Sequence, residues 1–379
     1  MSNDRAVRYF TTNDVGEDEL KMLKVYGALK GEKTVSLGEL ERISGVSSDI
    51  LIEKMKGLVK NKVVELSDVH GGGASFDVIC REAEGKGFLG ISFGKENCFL
   101  TVLDSCGSLS RKEKLPLQSL KTLRGRIGEI KDIIRTVSKT TTFRGIPLRS
   151  GGVVINSQME GKERKGIALV VEGLSKVFKC DIALARRAAA AAYTEKKDNP
   201  AAVEKKKMLY FHTDSGEGVI VEGERIIESR APGKGNESYL RAWDQFDAAR
   251  IAIDLAEKGM GTDIVGMVKG DLGLVTIYEV LEASENGDEL AEDLVKRSAL
   301  ALGVRAAYLA NLFDIDVIVL GGGIERPGVK FREYMKESFD RFLLNEKKGK
   351  VDIVGGISDE NVYSLGAALL SRREIFMEG

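Results

Sequence analysis

Ala185-Arg186-Arg187-Ala188-Ala189-Ala190-Ala191-Ala192-Tyr193-Thr194-Glu195 opens a helix directly after a short apolar strand at 181–184. Alanine is the strongest helix former, and small side chains let such a helix pack closely against its neighbours. The two arginines stand where strand becomes helix. A guanidinium keeps its proton at any usable pH, so neither arginine can act as a general base. The junction itself therefore offers no general base for proton-transfer chemistry.

Upstream of it, 88–93 and 97–103 read as apolar strands, with a turn at 104–107 and a third strand from Ser108. The spacing then predicts a helix over 118–138, a strand over 152–155 and a helix over 166–178. Downstream, 196–207 is charged and reads as a loop between lobes. A second cycle opens at 208–212, continues through 218–221 and 225–227, and turns helical from about Ser238. A long helix over 288–313 leads into a strand at 317–320 and then Gly321-Gly322-Gly323. Two sheets that each begin with a hairpin and end in helices predict a duplicated α/β lobe.

The N-terminal part has a different pattern. Residues 1–16 are polar and patternless and read as a flexible arm. Over 18–30, Leu20, Leu23, Val25, Tyr26 and Leu29 share one helical face. Ser36-Leu37-Gly38-Glu39 has the form of a capping box for a second helix that ends near Gly45. A third helix starts at Ser47 or Ser48 and runs to about Lys60, offering Ile50, Leu51, Met55, Leu58 and Val59 for packing. Strands at 62–66 and 76–80 flank the glycine-rich tip His70-Gly71-Gly72-Gly73. Helix, helix-turn-helix and hairpin in this order give the winged helix-turn-helix plan.

With 379 residues, 43% of them hydrophobic and 30% charged, the chain has room for two or three domains with real cores. Its net charge of -1 confines any nucleic-acid binding to a local patch. Cys80, Cys98, Cys106 and Cys180 show no CxxC spacing, which argues for reduced thiols and against a cysteine-rich zinc site. No apolar run approaches the ~20 residues of a membrane span. The expectation is a cytoplasmic protein that does not engage membranes.

Taken in order, the C-terminal segments resemble the ROK family, which groups repressors, uncharacterised reading frames and sugar kinases. The carriers are Ala301-Leu302-Gly303 with Asn311-Leu312-Phe313, then Val317-Ile318-Val319-Leu320-Gly321-Gly322-Gly323, then Ser364-Leu365-Gly366-Ala367-Ala368. The resemblance extends over 17–372. It implies an α/β fold, an N-terminal winged helix-turn-helix followed by a two-lobed actin-like (ribonuclease H-like) ATPase-type domain. The implied domains are the arm at 1–16, a DNA-binding domain at 17–82, a first lobe at 86–200 and a second at 206–379, with the last helix free to pack back on the first lobe.

At the chemical positions the chain departs from the kinases of the family. Their Asn-Asp pair, whose Asp takes the proton of the sugar hydroxyl, corresponds to Arg186-Arg187. Their first phosphate hairpin, Asp-x-Gly-Gly-Thr-Lys, corresponds to Ser92-Phe93-Gly94-Lys95-Glu96-Asn97, which lacks the metal-organising carboxylate. The second phosphate loop, Gly-Thr-Gly-Ile-Gly-Ala-Gly in pattern, reads His212-Thr213-Asp214-Ser215-Gly216-Glu217-Gly218. An added acid ~4 Å from a phosphate costs on the order of 4 kcal/mol at an effective dielectric of ~20. The family's zinc ligands, a His followed by a Cys cluster, are missing, since His70 and His212 are the only histidines and no cysteine follows residue 180. The sugar-facing Glu-x-Gly-His is not recognisable near 233–237.

The resemblance thus implies a ROK-type transcriptional regulator, by preference a repressor, without a catalytic group, metal or cofactor. Its expected partners are operator DNA, a second copy in a homodimer or homotetramer, and a small-molecule effector such as a sugar, a sugar derivative or an anion. DNA contacts are expected at Ser47, Ser48, Lys54, Lys56, His70, Gly71 and Gly72, although Asp49 and Glu53 lie on the same helix. Effector contacts are expected at Arg186, Arg187, Glu195, Thr213, Asp214, Gly216, Gly321, Gly322 and Gly323. Two readings of the arginines stay open: they bind an anionic effector, or they form an internal lock with Asp214, Glu217 or Glu195. Two other functions also stay open, a sugar kinase with a displaced base and a scaffold protein that does not bind DNA.

Overall fold

The apolar face read over 18–30 forms helix α1 (Glu17–Ala28), which buries Met22, Leu23, Val25 and Tyr26. A short strand β1 (Thr34–Ser36) runs directly into α2 (Leu37–Ser44), whose first turn is capped by the Ser36 hydroxyl accepting the Glu39 amide at 3.2 Å. Gly45 ends α2 at φ 69°, in the left-handed region that favours glycine. Helix α3 (Ser48–Lys60) buries Leu51, Met55 and Leu58. Strands β2 (Glu65–Asp68) and β3 (Phe76–Ile79) complete an antiparallel sheet in the order β1-β3-β2. Two details differ from the sequence reading. Strand β1 was not expected, being too short to show alternation. Ile50, expected in the core, is 51% exposed.

This computed structural model describes residues 8–10, 15–29, 34–60, 64–68, 76–79, 86–94, 97–104, 107–116, 147–155, 164–213, 215–228, 248–322, 328–357 and 361–378. The helix expected over 118–138 and the helical start near Ser238 lie outside them. The chain forms two units. Unit one is Met1–Thr194 with Gly223–Arg225 and Glu360–Gly379, and unit two is Glu195–Glu222 with Ile226–Asp359.

Unit one holds the N-terminal module and a mixed sheet. Strands β4 (Gly87–Phe93), β5 (Asn97–Leu103) and β6 (Leu109–Pro116) form an antiparallel meander. Strand β7 (Leu148–Ile155) runs parallel to β4, and after helix α4 (Arg164–Phe178) strand β8 (Asp181–Arg186) runs parallel to β7. Leu89, Ile91, Leu100, Val102, Val153, Val170, Leu174 and Leu184 form the core on one side of this sheet. Residues 8–10, read as part of a mobile arm, instead pair with β8: the Phe10 amide donates to the Leu184 carbonyl at 3.0 Å, and Phe10 is buried. A single apolar side chain and two main-chain bonds are too local to produce a sequence pattern.

The alanine run forms α5 (Arg187–Asp198), and the last helix, α11 (Val362–Glu378), packs against both α5 and the sheet. Close approach is possible because glycines face it. A Cβ on Gly90 would overlap the Ser364 carbonyl oxygen, one on Gly152 would lie 2.6 Å from the Ala367 oxygen, and one on Gly366 would overlap the Ala190 oxygen. The hydroxyl pairs Thr101–Ser364 (2.8 Å) and Ser150–Ser371 (2.7 Å) fix the register of helix on sheet.

Unit two is built on a sheet of β9 (Lys207–His212), β10 (Glu217–Glu222), β11 (Arg225–Glu228), β12 (Val317–Gly321) and β13 (Asp352–Gly355), in the order β11-β10-β9-β12-β13. Helices α6 (Ala248–Glu257), α7 (Asp263–Met267), α8 (Ile277–Glu285), α9 (Glu289–Phe313) and α10 (Val329–Phe342) accompany it. Helix α9 matches the long helix expected over 288–313. Its cap, Asp288, accepts the Ala291 amide (2.9 Å), the Asp263 amide (2.7 Å) and the Thr262 hydroxyl (2.7 Å). Burial acts to raise the Asp288 pKa, but these hydrogen bonds outweigh it and hold the carboxyl below its ordinary value. A depressed carboxyl contributes stability above the unfolded value of 3.8, which is lost as pH falls through the lower folded value. Asp288→Ala should cost about 1–2 kcal/mol at neutral pH. Urea midpoints followed downward from about pH 6 should converge for variant and wild type as the carboxyl protonates. A constant gap would contradict the assignment.

Candidate functional site

The first candidate is the outer face of α3. Ser47, Asp49, Ile50, Glu53 and Lys56 are exposed, and Lys54 is half-buried. Ser47 precedes the helix, its carbonyl accepting the Leu51 amide at 2.9 Å. Ser48 was expected to meet a phosphate, but its hydroxyl donates to Glu41 at 2.5 Å and ties α3 to α2. The exposed face therefore carries Ile50, an apolar side chain that the sequence reading assigned to the core. His70, Gly71 and Gly72, expected at the wing tip, lie outside the described residues.

The second candidate is the arginine junction of unit one. Arg186 ends β8 and Arg187 begins α5 with no residue between them. The Arg187 guanidinium lies 4.4 Å from the ring centroid of Tyr363, and that of Arg186 lies 6.0 Å from the ring centroid of Tyr9. Both are cation–π distances. Ser92 is level with Val154 on β7, and Val154 is level with Ala185 on β8. Its hydroxyl is buried and finds no hydrogen-bond partner among the described residues. A serine there cannot organise a divalent cation as a carboxylate would.

The third candidate is the loop after β9 in unit two. Thr213 is held twice over: its amide donates to the Gly321 carbonyl at 2.8 Å, and its hydroxyl donates to Gly321 at 2.7 Å. The Gly216 amide donates to the His212 carbonyl at 2.9 Å, and the Ser215 amide donates to His212 Nδ1 at 3.2 Å. Accepting that amide makes Nδ1 the unprotonated nitrogen and leaves the proton of the neutral ring on Nε2. The imidazole is fully buried and lies against Gly322, where a Cβ would meet it at 2.8 Å. Gly322, at φ 80°, needs to be glycine for both reasons. The Ser215 hydroxyl reaches Glu217 at 3.1 Å. The amides of Ser215 and Gly216 are thus engaged inside the loop, and that of Thr213 is engaged by the end of β12. In a phosphate-binding loop such amides converge on the ligand. Asp214 and Gly323 lie outside the described residues, so the arrangement brings together Thr213, Gly216, Gly321 and Gly322.

Glu195, expected to face an effector, is buried and serves the backbone. Its carboxylate accepts the Ile357 amide at 2.7 Å and the Asn199 side-chain amide at 2.8 Å. Glu217, one of the acids expected in an internal lock with the arginines, accepts the Ser215 hydroxyl. The fixed position of His212 had no signal in the sequence beyond the loss of a glycine.

Comparison with known proteins follows from this geometry. Residues 259–374 match the model of the ROK family. A glucokinase of Thermotoga maritima is 23% identical over 155 residues, 40% of this chain and 49% of that protein. A glucokinase of Halalkalibacterium halodurans is 32% identical over 72 residues, 19% of this chain and 22% of that protein. The chain therefore spans half or less of these curated relatives. A ROK family transcriptional regulator, homologue of the E. coli MLC protein, superposes with a TM-score of 0.60 at 16% identity, covering 95% of this chain and 96% of its own. A ROK family glucokinase from Streptomyces griseus, in complex with glucose and AMPPNP, superposes with a TM-score of 0.55 at 18% identity, covering 76% of this chain and 99% of its own. These likenesses establish a mixed α/β fold with two sheets of the ROK type. The similar proteins include both a regulator and sugar kinases.

Proposed function

We propose, for a chain with a segment that matches the ROK family, a transcriptional regulator whose N-terminal module binds operator DNA and whose remaining part is a non-catalytic sensor. The observation that carries this reading is the module itself. Three helices and a sheet ordered β1-β3-β2 follow the winged helix-turn-helix plan, with α3 in the position of the recognition helix. The coverage of the two solved structures agrees with it. The kinase fits almost whole onto 76% of this chain, leaving about the length that precedes β4, whereas the regulator spans 95%.

Ser47, just before α3, and Lys56 on it suit the phosphate backbone, and Ile50 suits a thymine methyl in the major groove. The homodimer, or a tetramer built from it, would present paired α3 helices to a pseudo-palindromic operator in the cytoplasm. Among the described residues no helix is long and apolar enough to cross a membrane. Fluorescence anisotropy with the protein's own upstream DNA and with a shuffled duplex, at two salt concentrations, tests this reading. Binding should depend on sequence, and Lys56→Ala should weaken it on both duplexes and lower the salt slope by about 1. Equal, weak binding to both duplexes would leave the module as a scaffold.

The competing reading is a sugar kinase, favoured by the similarity to two glucokinases. Against it stand Arg187 in place of the base, Ser92 in place of the metal-organising acid, and a second phosphate loop in which the amides of Thr213, Ser215 and Gly216 are already paired. Arg187→Asp alone should yield no sugar-dependent ADP above background in a coupled assay over a broad sugar panel. Turnover in that single variant would overturn the non-catalytic reading. The effector is then a small molecule, with a sugar, a sugar derivative or an anion as the classes to screen, and Arg186 and Arg187 in unit one and the loop at 212–216 in unit two are each to be tested for contact with it.

A further inference from the structure

The ends of α9 and α10, both in unit two, place four large apolar side chains at the surface. Tyr308 and Leu312 stand one turn apart on α9, Phe342 closes α10 and Leu344 follows it. All four are exposed, Leu312 at 76%. They also lie together. The ring centroids of Tyr308 and Phe342 are 6.4 Å apart. Asn311, between Tyr308 and Leu312, donates its side-chain amide to the Phe342 carbonyl at 3.2 Å and accepts the Leu344 amide at 3.1 Å. Lys347 fastens the same two segments, donating to the Ala310 carbonyl at 3.0 Å and to Asp314 at 2.6 Å. The patch is therefore a fixed surface, and little ordering entropy is lost when a partner covers it.

Its composition points to the class of partner. Residues 308–313 and 342–345 carry no charge, and exposed charges begin just outside them. An aromatic and leucine centre inside a charged border has the anatomy of a protein–protein contact, and it lacks the cations that nucleic acid requires. Two features of the border select a second copy of this chain. Lys347–Asp314 (2.6 Å) and Lys336–Asp340 (2.7 Å) are closed within the chain, so two copies of the patch would not repel each other. Arg341 and Glu346, which bracket Phe342 and Leu344 in sequence, are exposed and form no ion pair among the described residues. In a two-fold contact residue i meets j while j meets i, so one such base and one such acid per chain give two bridges across the axis. We propose that Tyr308, Leu312, Phe342 and Leu344 form the centre of a symmetric contact with a second copy of this chain, with Arg341 of each copy against Glu346 of the other. The inference rests on the homodimer of the proposed regulator and gives it a surface.

Sedimentation equilibrium of the full chain tests it. The wild type should be dimeric at micromolar concentration, and Leu312→Glu should raise the dissociation constant about thirtyfold or more, the effect of losing a hot-spot residue. Because Leu312 is exposed, the urea midpoint of that variant extrapolated to low protein concentration should stay at the wild-type value. Arg341→Glu should weaken the dimer, and Arg341→Glu combined with Glu346→Arg should restore it, a rescue that misfolding cannot mimic. A monomeric wild type, or a Leu312→Glu protein as dimeric as the wild type, would overturn the interface. A double variant no tighter than Arg341→Glu would overturn the pairing of the charges. DNA anisotropy separates this inference from the reading beneath it. Dimerisation lost in Leu312→Glu with no operator preference in the wild type sinks only the regulator, whereas operator preference with dimerisation untouched by Leu312→Glu sinks only this interface.

Discussion

Gly90→Ala should lower the stability of unit one by about 3 kcal/mol or more, at or beyond the upper end of ordinary overpacking. Most overpacked sites relax by turning a side chain aside. Here the added methyl would overlap the Ser364 carbonyl oxygen and lie 2.7 Å from the Ala368 amide nitrogen, both main-chain atoms of α11. The helix as a whole has to move. Moving it strains the Thr101–Ser364 and Ser150–Ser371 hydroxyl pairs, and it carries Gly366 away from Ala190 on α5. Gly38→Ala makes the contrast. It lies on α2, a Cβ there meets nothing within 4 Å, and the change should be neutral or stabilising by up to about 1 kcal/mol. Urea denaturation of both variants reads the difference. A Gly90 variant as stable as wild type would mean that α11 does not rest on this sheet.

The elements that the sequence made legible share one property: their signal is local. Ser36 and Gly45 bracket α2 by capping chemistry, and Asp288 opens α9 for the same reason. The alanine run announced close packing, and the structure supplies its partner in Gly366. What escaped depends on residues far apart in the chain. Arg372 and Arg373 drew no expectation from the sequence, yet they are among the largest fully buried side chains, held beside Tyr26 and Glu224. Nothing in Glu222-Gly223-Glu224-Arg225 distinguishes a solvent-facing hairpin turn from one inserted between helices. Composition placed Ile50 in the core because it is apolar, and only the packing of α3 against α1 and α2 turns it outward.

The candidate site was legible by subtraction. Missing acids and glycines at matched positions argued against phosphate chemistry before any geometry was known. They did not reveal what replaced it. The amides of Thr213, Ser215 and Gly216, paired with Gly321, with the buried His212 imidazole and with the His212 carbonyl, make positive interactions, each with a net worth of about 0.5–1.5 kcal/mol. A polyphosphate would have to break them before gaining any of its own. The loop is therefore closed by its own chemistry as well as by charge, which is a stronger argument than the absence of a base. Restoring Asp at 187 should therefore be insufficient, since the amides of Thr213, Ser215 and Gly216 would still be engaged.

Phe376→Ala should cost about 3–5 kcal/mol, the range for truncating a buried aromatic. Its position determines where that cost falls. Phe376 lies in the last turn of α11, yet it is a fully buried member of the core made by Met22, Tyr26, Leu29, Leu40, Leu51 and Met55 of the module. Its ring centroid lies 4.7 Å from that of Tyr26, and the Arg372 guanidinium packs over both rings, at 4.8 Å from Tyr26 and 5.7 Å from Phe376. Emptying this site removes the side chain that joins α11 to α1 and leaves Arg372 facing a cavity. Exchange and limited proteolysis should both rise in α1–α3 while the helices of unit two keep wild-type protection. With the module loosened on its mount, sequence-dependent DNA binding should weaken even though no residue of α3 has changed. Wild-type protection of α1 in this variant would show that the module carries its own core and that α11 merely leans against it.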